Sequence, residues 1–325
     1  MICFKEKTPV VSISCLTYNH APYIRECMEG FLKQETTFPF EVLIHDDCST
    51  DGTIDIINEY ASKRPDIIFP LFEKENQYSS GKPSGTAVWN YPRARGKYLA
   101  LCEGDDYWTD PYKLQKQVIF LESHPEVGMC YTRVERLNQS SGKIIDEWGG
   151  SAETFEDLIK KNTVPTLSTC FRLSLYKEYI DEVEPSRKNW LMGDYPMWLY
   201  FALKNKIKFI DDVSGCYRIL KESASHSKSI TKRYTFDKSF KSIAEYFLKT
   251  NSDIVKAEVI EKFLEKKHSL LLTMANVVKD EEELNEAKTY LKNHSKSFRL
   301  KILTLPNWLI RYPIMLKYYL HGWKM

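Results

Sequence analysis

The sequence predicts an α/β fold with a doubly wound, mostly parallel sheet and flanking helices, followed by a helical C-terminal region. In the first half of the chain, short apolar runs rich in β-branched residues alternate with stretches of helical spacing, which is the pattern of a parallel sheet. From residue 234 to residue 291 the pattern is charged and helical, without a clear strand. We therefore predict an α/β domain over residues 1–230 and a helical region with a basic, aromatic tail over residues 231–325.

The elements of the first half follow from the hydrophobic period and from the turn residues. Apolar runs predict strands at residues 10–16, 40–45, 67–72, 97–102 and 127–134. Pro22 suits the first turn of a helix, and apolar residues recur after it at helical spacing up to Gln34. Further helices are predicted at residues 53–65, at residues 86–95 with a break at Pro92, and after Asp110, which would cap its helix.

The composition excludes several classes of protein. Hydrophobic residues make up 43% of the 325 residues, enough for a packed core, and a formal net charge of +2 gives no reason to expect a nucleic-acid partner. The eight cysteines form no C-x-x-C pair, which favours reduced thiols in a cytosolic protein over a disulfide framework or a cysteine zinc site. We expect neither a signal peptide nor a membrane-spanning helix, because no apolar run is long enough.

Two acidic clusters follow predicted strands. Asp46 and Asp47 come after the second strand, and the motif Glu103-x-Asp105-Asp106 comes after the fourth. Ligands of open α/β sheets bind outside the carboxyl ends of the strands, and crowded carboxylates are costly unless a cation or hydrogen-bond donors offset their charge. Mg²⁺ or Mn²⁺ shared with a diphosphate suits such oxygen ligands. Helix capping by Asp47 and Asp106 is the alternative, but matched positions at two strand ends favour a functional site.

These acidic clusters belong to a longer series of motifs. The series is VSISCLTYN at residues 11–19, DDCSTDGT at 46–53, ALCEGDD at 100–106, GDYPMW at 193–198, and CYR at 216–218 followed by SASH at 223–226. Across residues 8–230 these motifs resemble the inverting family 2 glycosyltransferases with the GT-A fold, of the bacterial polysaccharide and lipopolysaccharide type. The resemblance implies transfer of a sugar from a nucleotide-diphosphate donor, with UDP as the nucleotide, to a glycan or lipid-linked acceptor.

The resemblance also implies a nucleotide site at the ends of the first two strands. Thr17, Tyr18 and Asn19 match the first loop of the family, which meets the nucleotide base. Asp47, with Asp46 beside it, matches the acid that hydrogen-bonds a uracil-type ring and its ribose.

The acid motif after the fourth strand matches the metal site of the family. Asp105 matches the metal-ligating acid of the D-x-D motif, and Asp106 next to it is predicted to belong to the same metal site. Glu103 replaces the usual first Asp with a longer arm that would reach the ribose or a metal-bound water. His226 matches a late donor to the metal or the diphosphate, with an ordinary surface histidine as the alternative, because Ile219-Leu220 stand where the family has its usual histidine. The implied cofactor is Mn²⁺ or Mg²⁺.

Asp194 matches the general base of the family. It would take the proton of an acceptor hydroxyl as this hydroxyl attacks the anomeric carbon, and the metal would neutralise charge on the departing diphosphate. Capping of the helix that follows is compatible with this role. Arg218 is left open between a phosphate contact and an ion pair.

Two other functions are weaker. A sugar-phosphate nucleotidyltransferase would need a Gly-rich, basic phosphate loop after the first strand, and residues 17–20 lack one. A catalytically inactive module that binds a nucleotide sugar or a glycan is favoured only by the departure at Glu103.

The tail from residue 298 contains no acidic residue. It interleaves basic and aromatic side chains, which are Arg299, Lys301, Trp308, Arg311, Tyr312, Lys317, Tyr318, Tyr319, Trp323 and Lys324. This mixture predicts a segment lying on an anionic membrane, which would hold a cytoplasmic enzyme on the inner face of the cell membrane near a lipid-linked acceptor. The alternative is that the aromatic residues pack on the catalytic domain or form a dimer contact.

Overall fold

A computed structural model describes residues 8–82, 85–220, 229–297 and 300–301. The chain forms two compact units, residues 1–221 and residues 222–325. His226 and the tail beyond residue 301 lie outside the described residues, so the predictions made for them stay predictions.

The first unit contains one mixed sheet and its helices. Within the described residues, the strands are β1 (Val11–Thr17), β2 (Phe40–Asp46), β3 (Ile68–Phe72), β4 (Tyr98–Leu101), β5 (Tyr107–Trp108), β6 (Val127–Asn138), β7 (Lys143–Trp148), β8 (Cys170–Arg172) and β9 (Lys206–Ile219). The helices of this unit are α1 (Ile24–Leu32), α2 (Thr53–Lys63), α3 (Lys113–Ser123), α4 (Phe155–Lys160), α5 (Leu173–Val183) and α6 (Tyr195–Lys204). Short 3₁₀ turns lie at Tyr91–Arg93, Thr166–Ser168 and Pro185–Arg187.

One half of the sheet is parallel. The strands β3, β2, β1 and β4 lie side by side in that order and pair in parallel. Val11, Ile13 and Cys15 of β1 are fully buried, as expected of a central strand in an α/β sheet. The predicted fold class, with a mostly parallel sheet, flanking helices and a helical region after them, is confirmed.

The other half of the sheet mixes directions. The strand β8 lies antiparallel between β4 and β6, while β9 pairs in parallel with β6 and antiparallel with β5. The strand β7 folds back on β6. We did not predict β8, because a strand of 3 residues is too short to show a period in the sequence.

The helix predicted over residues 86–95 is wrong. Apart from the 3₁₀ turn, this segment consists of turns and bends. Asn90 Nδ2 donates to backbone carbonyls of β1 and β2 at 3.2 and 3.0 Å, and the Arg93 guanidinium donates to those of β2 and β3 at 3.2 Å each. Contacts with the sheet therefore decide this conformation, and Pro92 disfavours a helix in the same place.

The helix α3 begins after its predicted cap. Asp110 Oδ1 accepts a hydrogen bond from Tyr112 N at 2.9 Å, and the helix itself begins at Lys113. The carboxylate thus orders the turn that leads into the helix.

The second unit is helical in its described residues. Its helices are α7 (Ile230–Thr250), α8 (Ala257–Val278) and α9 (Glu281–His294). A small core contains Leu271 and Ala275 of α8 together with Leu284 and Leu291 of α9. No helix in the described ranges is long and apolar enough to cross a membrane.

Candidate active site

The ends of three parallel strands bring both acidic clusters to one edge of the sheet. In the register of β1 and β2, Thr17 lies opposite Asp46. Asp47 N donates to Thr17 O at 3.0 Å, and Gly104 N donates to Leu16 O at 2.9 Å. The loops after β1, β2 and β4 are therefore hydrogen-bonded neighbours, as expected for a ligand site of an α/β sheet.

The loop after β1 is fastened to the loop after β2. Asn19 has a φ of 53°, a left-handed conformation that Asn tolerates better than most residues. Its backbone N donates to Ser49 Oγ at 2.7 Å, and its Oδ1 accepts from Thr50 N at 2.8 Å. Tyr18 is 43% exposed next to it. The Asn19 side chain thus holds the loop, and the Tyr18 ring is left free to stack on a ligand.

Two buried polar atoms in this region lack partners. Thr17 Oγ1 and His20 Nδ1 are both buried without a hydrogen bond. A Cβ atom at Gly104 would lie 2.8 Å from Thr17 Oγ1 and 3.0 Å from His20 Nδ1, so only glycine fits between them. Unpaired buried polar atoms are rare in folded proteins, and they indicate a place where a ligand or water completes the hydrogen bonds.

The carboxylates of the first acidic cluster are engaged with the backbone. Asp46 is fully buried and accepts from Ser49 N at 2.8 Å and from Ser49 Oγ at 2.5 Å. Asp47 accepts from Gln77 N at 2.7 Å and from Tyr78 N at 3.0 Å. Burial raises the pKa of Asp46, while its bonds from Ser49 act in the opposite direction.

Helix capping does not explain Asp47. The start of α2 is served by Asp51, whose Oδ1 accepts from Thr53 N at 3.1 Å and from Thr53 Oγ1 at 2.6 Å. Asp47 instead orders residues 77–78 of the long loop after β3.

The second acidic cluster follows β4 and is electrostatically strained. Burial, and then the negative charge of Asp105 and that of Asp194, raise the pKa of Glu103 to about 8. Asp106 is 3% exposed, and burial with the charges of Asp105 and Glu103 raises its pKa well above the usual range. Its Oδ1 accepts from Arg218 N at 2.7 Å, so Asp106 caps no helix.

Asp105 is the more accessible of the two adjacent aspartates. Its side chain is 26% exposed, and its Oδ2 lies 4.0 Å from His20 Nε2. In the described part of the chain, no Lys or Arg forms an ion pair with Glu103, Asp105, Asp106 or Asp194. Four carboxylates without a Lys or Arg partner among the described residues fit a divalent cation.

The second acidic cluster does not form a complete metal cage. Among the described residues, no three acids or histidines of this edge have ligand atoms within 4.8 Å of one another. A cation here would therefore take its other ligands from water and from a bound substrate, as Mg²⁺ does at phosphate sites. His226 lies outside the described residues, so its predicted role is not addressed by these distances.

Asp194 is held by one donor on each oxygen. Its Oδ1 accepts from Tyr195 N at 2.7 Å, which makes Asp194 the N-cap of α6. Its Oδ2 accepts from Thr166 Oγ1 at 2.8 Å. The turn that carries Thr166 is fastened to β5, because Trp108 Nε1 donates to Leu167 O at 2.7 Å. Sequence reasoning missed Thr166, since a single threonine in a loop carries no motif.

The Arg218 side chain forms an ion pair. It is 4% exposed, pairs with Glu26 through Nη2, and donates from Nη1 to Gln139 Oε1 at 2.9 Å. Its guanidinium carbon lies 4.6 Å from the centroid of the Tyr107 ring. The sequence left Arg218 open between a phosphate contact and an ion pair, and in the structure it forms an ion pair with Glu26.

The chain is similar to known proteins of the family that its motifs resemble. Residues 12–180, about half of the chain, match the profile of the family described as Glycosyl transferase family 2. An uncharacterized protein of Mycobacterium tuberculosis is 34% identical over 230 residues, which is 69% of this chain and 62% of that protein. The match thus spans less than two thirds of that relative. The putative teichuronic acid biosynthesis glycosyltransferase TuaG of Bacillus subtilis is 28% identical over 68% of this chain and 83% of its own length.

A solved structure agrees with the fold. The crystal structure of S. aureus TarS 1-349 in complex with UDP-GlcNAc superposes with a TM-score of 0.63, at 19% identity, over 90% of this chain and 83% of that one. This likeness confirms the expected GT-A fold.

Proposed function

The chain belongs to glycosyl transferase family 2, and we propose that it is an inverting glycosyltransferase that moves a sugar from a nucleotide-diphosphate donor to a glycan or lipid-linked glycan acceptor. One observation supports this most strongly. Thr166 Oγ1 donates to Asp194 Oδ2 at 2.8 Å, and the next residue, Leu167, accepts from Trp108 Nε1 at 2.7 Å. Trp108 follows the acid motif by two residues, so the turn that holds the proposed base is fastened next to that motif. Family membership leaves the nucleotidyltransferase alternative without support.

The donor nucleotide would bind at the ends of β1 and β2. We assign Tyr18 and the Thr17 hydroxyl to the nucleotide, since one ring is exposed and one hydroxyl is unpaired. Asp47 would accept hydrogen bonds from the base or ribose in addition to those from its loop, because each carboxylate oxygen has two lone pairs. Asn19 and Asp46 would hold these groups in place. The complex of TarS with UDP-GlcNAc supports UDP as the nucleotide.

The residues after β4 would hold a divalent cation, Mn²⁺ or Mg²⁺. We assign Asp105 as the ligand that faces the substrate and Asp106 as the buried carboxyl group beside it in the metal site. Glu103 would bind ribose or a metal-bound water, and His226 completes the predicted set. The cation would stabilise the negative charge that develops on the diphosphate.

Asp194 would act as the general base. Tyr195 N and Thr166 Oγ1 each use one lone pair of its carboxylate, which leaves the remaining lone pairs for the acceptor hydroxyl. The acceptor oxygen forms its bond to the anomeric carbon as the bond from that carbon to the diphosphate breaks. The bonding electron pair leaves with the diphosphate, and the hydroxyl proton passes to Asp194. Attack from the opposite face inverts the anomeric centre.

The acceptor would be a bacterial envelope glycan or its lipid-linked precursor. The putative role of TuaG in teichuronic acid biosynthesis supports this class. We propose a cytoplasmic location with peripheral contact at the inner face of the membrane through the basic, aromatic tail. Most of that tail lies outside the described residues.

Thermal unfolding with nucleotides tests the donor site. We expect UDP with Mn²⁺ to raise the melting temperature, EDTA to cancel the shift, and GDP, dTDP or CMP to give less, because a ligand of the native state stabilises it by mass action. At a concentration of 100 times Kd the gain is about 2.7 kcal/mol. Asp105→Ala should abolish the shift, whereas Asp55→Asn, at an exposed acid of α2, should keep it. The absence of a shift with every nucleotide would contradict the donor site.

A transfer assay then separates an enzyme from an inactive module. Purified protein with UDP-sugars and membrane extract as acceptor should release UDP, and Asp194→Asn should stop the release while nucleotide binding persists. Binding of UDP without any release by the unaltered chain would favour the inactive module.

A further inference from the structure

Three helices of the second unit bring potential metal ligands together. Glu245 of α7, His268 of α8 and Glu286 of α9 each place one ligand atom within 4.8 Å of the other two. The three residues come from different helices, so an ion bound by all of them would tie the helices together. None of these residues takes part in the site proposed for glycosyl transfer.

His268 is the unusual member of this cluster. It is 3% exposed, and its Nδ1 is buried without a hydrogen-bond partner. Its ring stacks on Tyr290, with 4.3 Å between the ring centroids. A neutral imidazole with an unpaired nitrogen offers a lone pair to a cation. An unpaired buried imidazole is rare unless a ligand completes it.

Negative charge exceeds positive charge around the cluster. Lys241 Nζ lies 2.6 Å from Glu286 Oε1, 3.0 Å from Glu283 Oε1 and 3.7 Å from Glu245 Oε1. One ammonium group thus faces three carboxylates. Crowded carboxylates are stabilised by further positive charge, which a divalent cation would supply.

Lys238, a second lysine nearby, does not neutralise the excess of negative charge. Its Nζ lies 3.7 Å from Glu283 but 3.0 Å from Asp280, which adds a fourth carboxylate. Glu286 is partly exposed, with 54% of its side chain accessible. An ion can therefore reach the cluster from solvent. If Glu286 binds the ion, Lys241 would still have its ion pair with Glu283.

We propose that Glu245, His268 and Glu286 bind a divalent transition-metal ion of the zinc class, with water as the remaining ligand. One imidazole nitrogen and two carboxylate oxygens are a donor set that zinc accepts. The ion joins α7, α8 and α9. Because the unfolded chain has no such site, the binding free energy adds to the stability of the helical unit.

Zinc titration of the full chain carrying Asp105→Ala tests this site, since that substitution removes the ligand proposed for the donor-site metal. We expect one equivalent of Zn²⁺ in competition with a chromophoric chelator, together with a raised melting temperature. His268→Gln in the same background should lose the equivalent. His294→Gln is the matched control, because His294 is exposed and also stacks on Tyr290, at 4.6 Å; it should keep the equivalent.

Glu286→Gln provides a second test at a partly exposed position, where the risk of misfolding is small. It should weaken Zn²⁺ binding by about tenfold or more. Substitution with Co²⁺ should give visible d–d absorption bands that disappear in His268→Gln. The proposal is overturned if the Asp105→Ala chain binds no equivalent of Zn²⁺, or if a bound equivalent survives both His268→Gln and Glu286→Gln unchanged.

Discussion

The two acidic clusters at the edge of the sheet differ in how their charge is satisfied. Asp46 and Asp47 receive backbone and hydroxyl hydrogen bonds from residues of their own and a neighbouring loop. Burial, and then the negative charge of neighbouring carboxylates, instead raise the pKa of Glu103 and that of Asp106. The protein itself satisfies the carboxylates of the first cluster, whereas the second cluster would gain stability from a bound cation.

This difference shows how neighbouring acidic motifs serve different purposes. Carboxylates that already accept backbone hydrogen bonds order loops and present their remaining lone pairs to a nucleotide. Carboxylates that repel one another store unfavourable electrostatic energy, which a metal ion and the charge changes of a reaction can relieve.

We expect the loss of the proposed base to have the largest effect. Asp194→Asn keeps the acceptor atom for Tyr195 N but cannot take a proton, so we expect kcat to fall by about 10²–10⁴-fold. Binding of UDP with Mn²⁺, measured by calorimetry, should stay within about twofold. An unchanged kcat would remove Asp194 from the mechanism.

The titration of Glu103 should make the free energy of unfolding depend on pH. With its pKa raised from 4.5 to about 8, the folded chain holds this proton more tightly than the unfolded chain across that window. In EDTA, the free energy of unfolding should therefore fall as pH rises from 4.5 to 8, by roughly 1–4 kcal/mol. Urea unfolding at several pH values measures this fall.

Two comparisons sharpen this test. Glu103→Gln should flatten the fall, because the group no longer titrates. Mn²⁺ binds ionised carboxylates, so its stabilising effect should be larger at pH 8 than at pH 6. If the free energy of unfolding falls with pH as steeply in Glu103→Gln as in the unaltered chain, groups other than Glu103 cause the fall.

Thr166 is a positioning residue for Asp194. Thr166→Val removes the hydroxyl that donates to Asp194 Oδ2, and loss of a hydrogen bond to a charged group costs about 1.5–3 kcal/mol. We expect kcat to fall by roughly ten- to a hundredfold while KM for the donor changes little, and Thr166→Ser should restore most of the activity. Equal losses in Thr166→Ser and Thr166→Val would point to packing instead of the hydroxyl.

A substitution at Gly104 tests how closely the loop after β4 packs against Thr17. Gly104→Ala would place a Cβ atom 2.8 Å from Thr17 Oγ1, so the loop must move, at a cost of about 1–3 kcal/mol in the free energy of unfolding. Gly150→Ala is the control, because a Cβ atom there meets nothing within 4 Å. Thermal unfolding of both variants measures the difference, and equal melting temperatures would show that the loop at Gly104 moves away from Thr17 at no cost in stability.

Local pattern was sufficient for the parallel half of the fold. The strands β1 and β2 lie within one residue of their predicted ends, because their buried apolar runs are bounded by polar turns. The helix predicted at residues 86–95 failed because Asn90 and Arg93 hydrogen-bond strands that are distant in the sequence. The partnership of Thr166 with Asp194 spans 28 positions, a distance at which no local period operates.

The alternation of strands and helices, the family motifs and the positions of the acidic residues could be read from the sequence, because hydrophobic period and turn chemistry act over a few residues. Tertiary contacts were needed to tell which carboxylates accept hydrogen bonds and which lie near other carboxylates. Asp47 accepts hydrogen bonds from the backbone of residues 77–78, and Asp106 accepts one from Arg218 N. The negative charge of Asp194 contributes to the raised pKa of Glu103. Hydrogen bonding and charge depend on distance in space, which the packing of strands and loops sets.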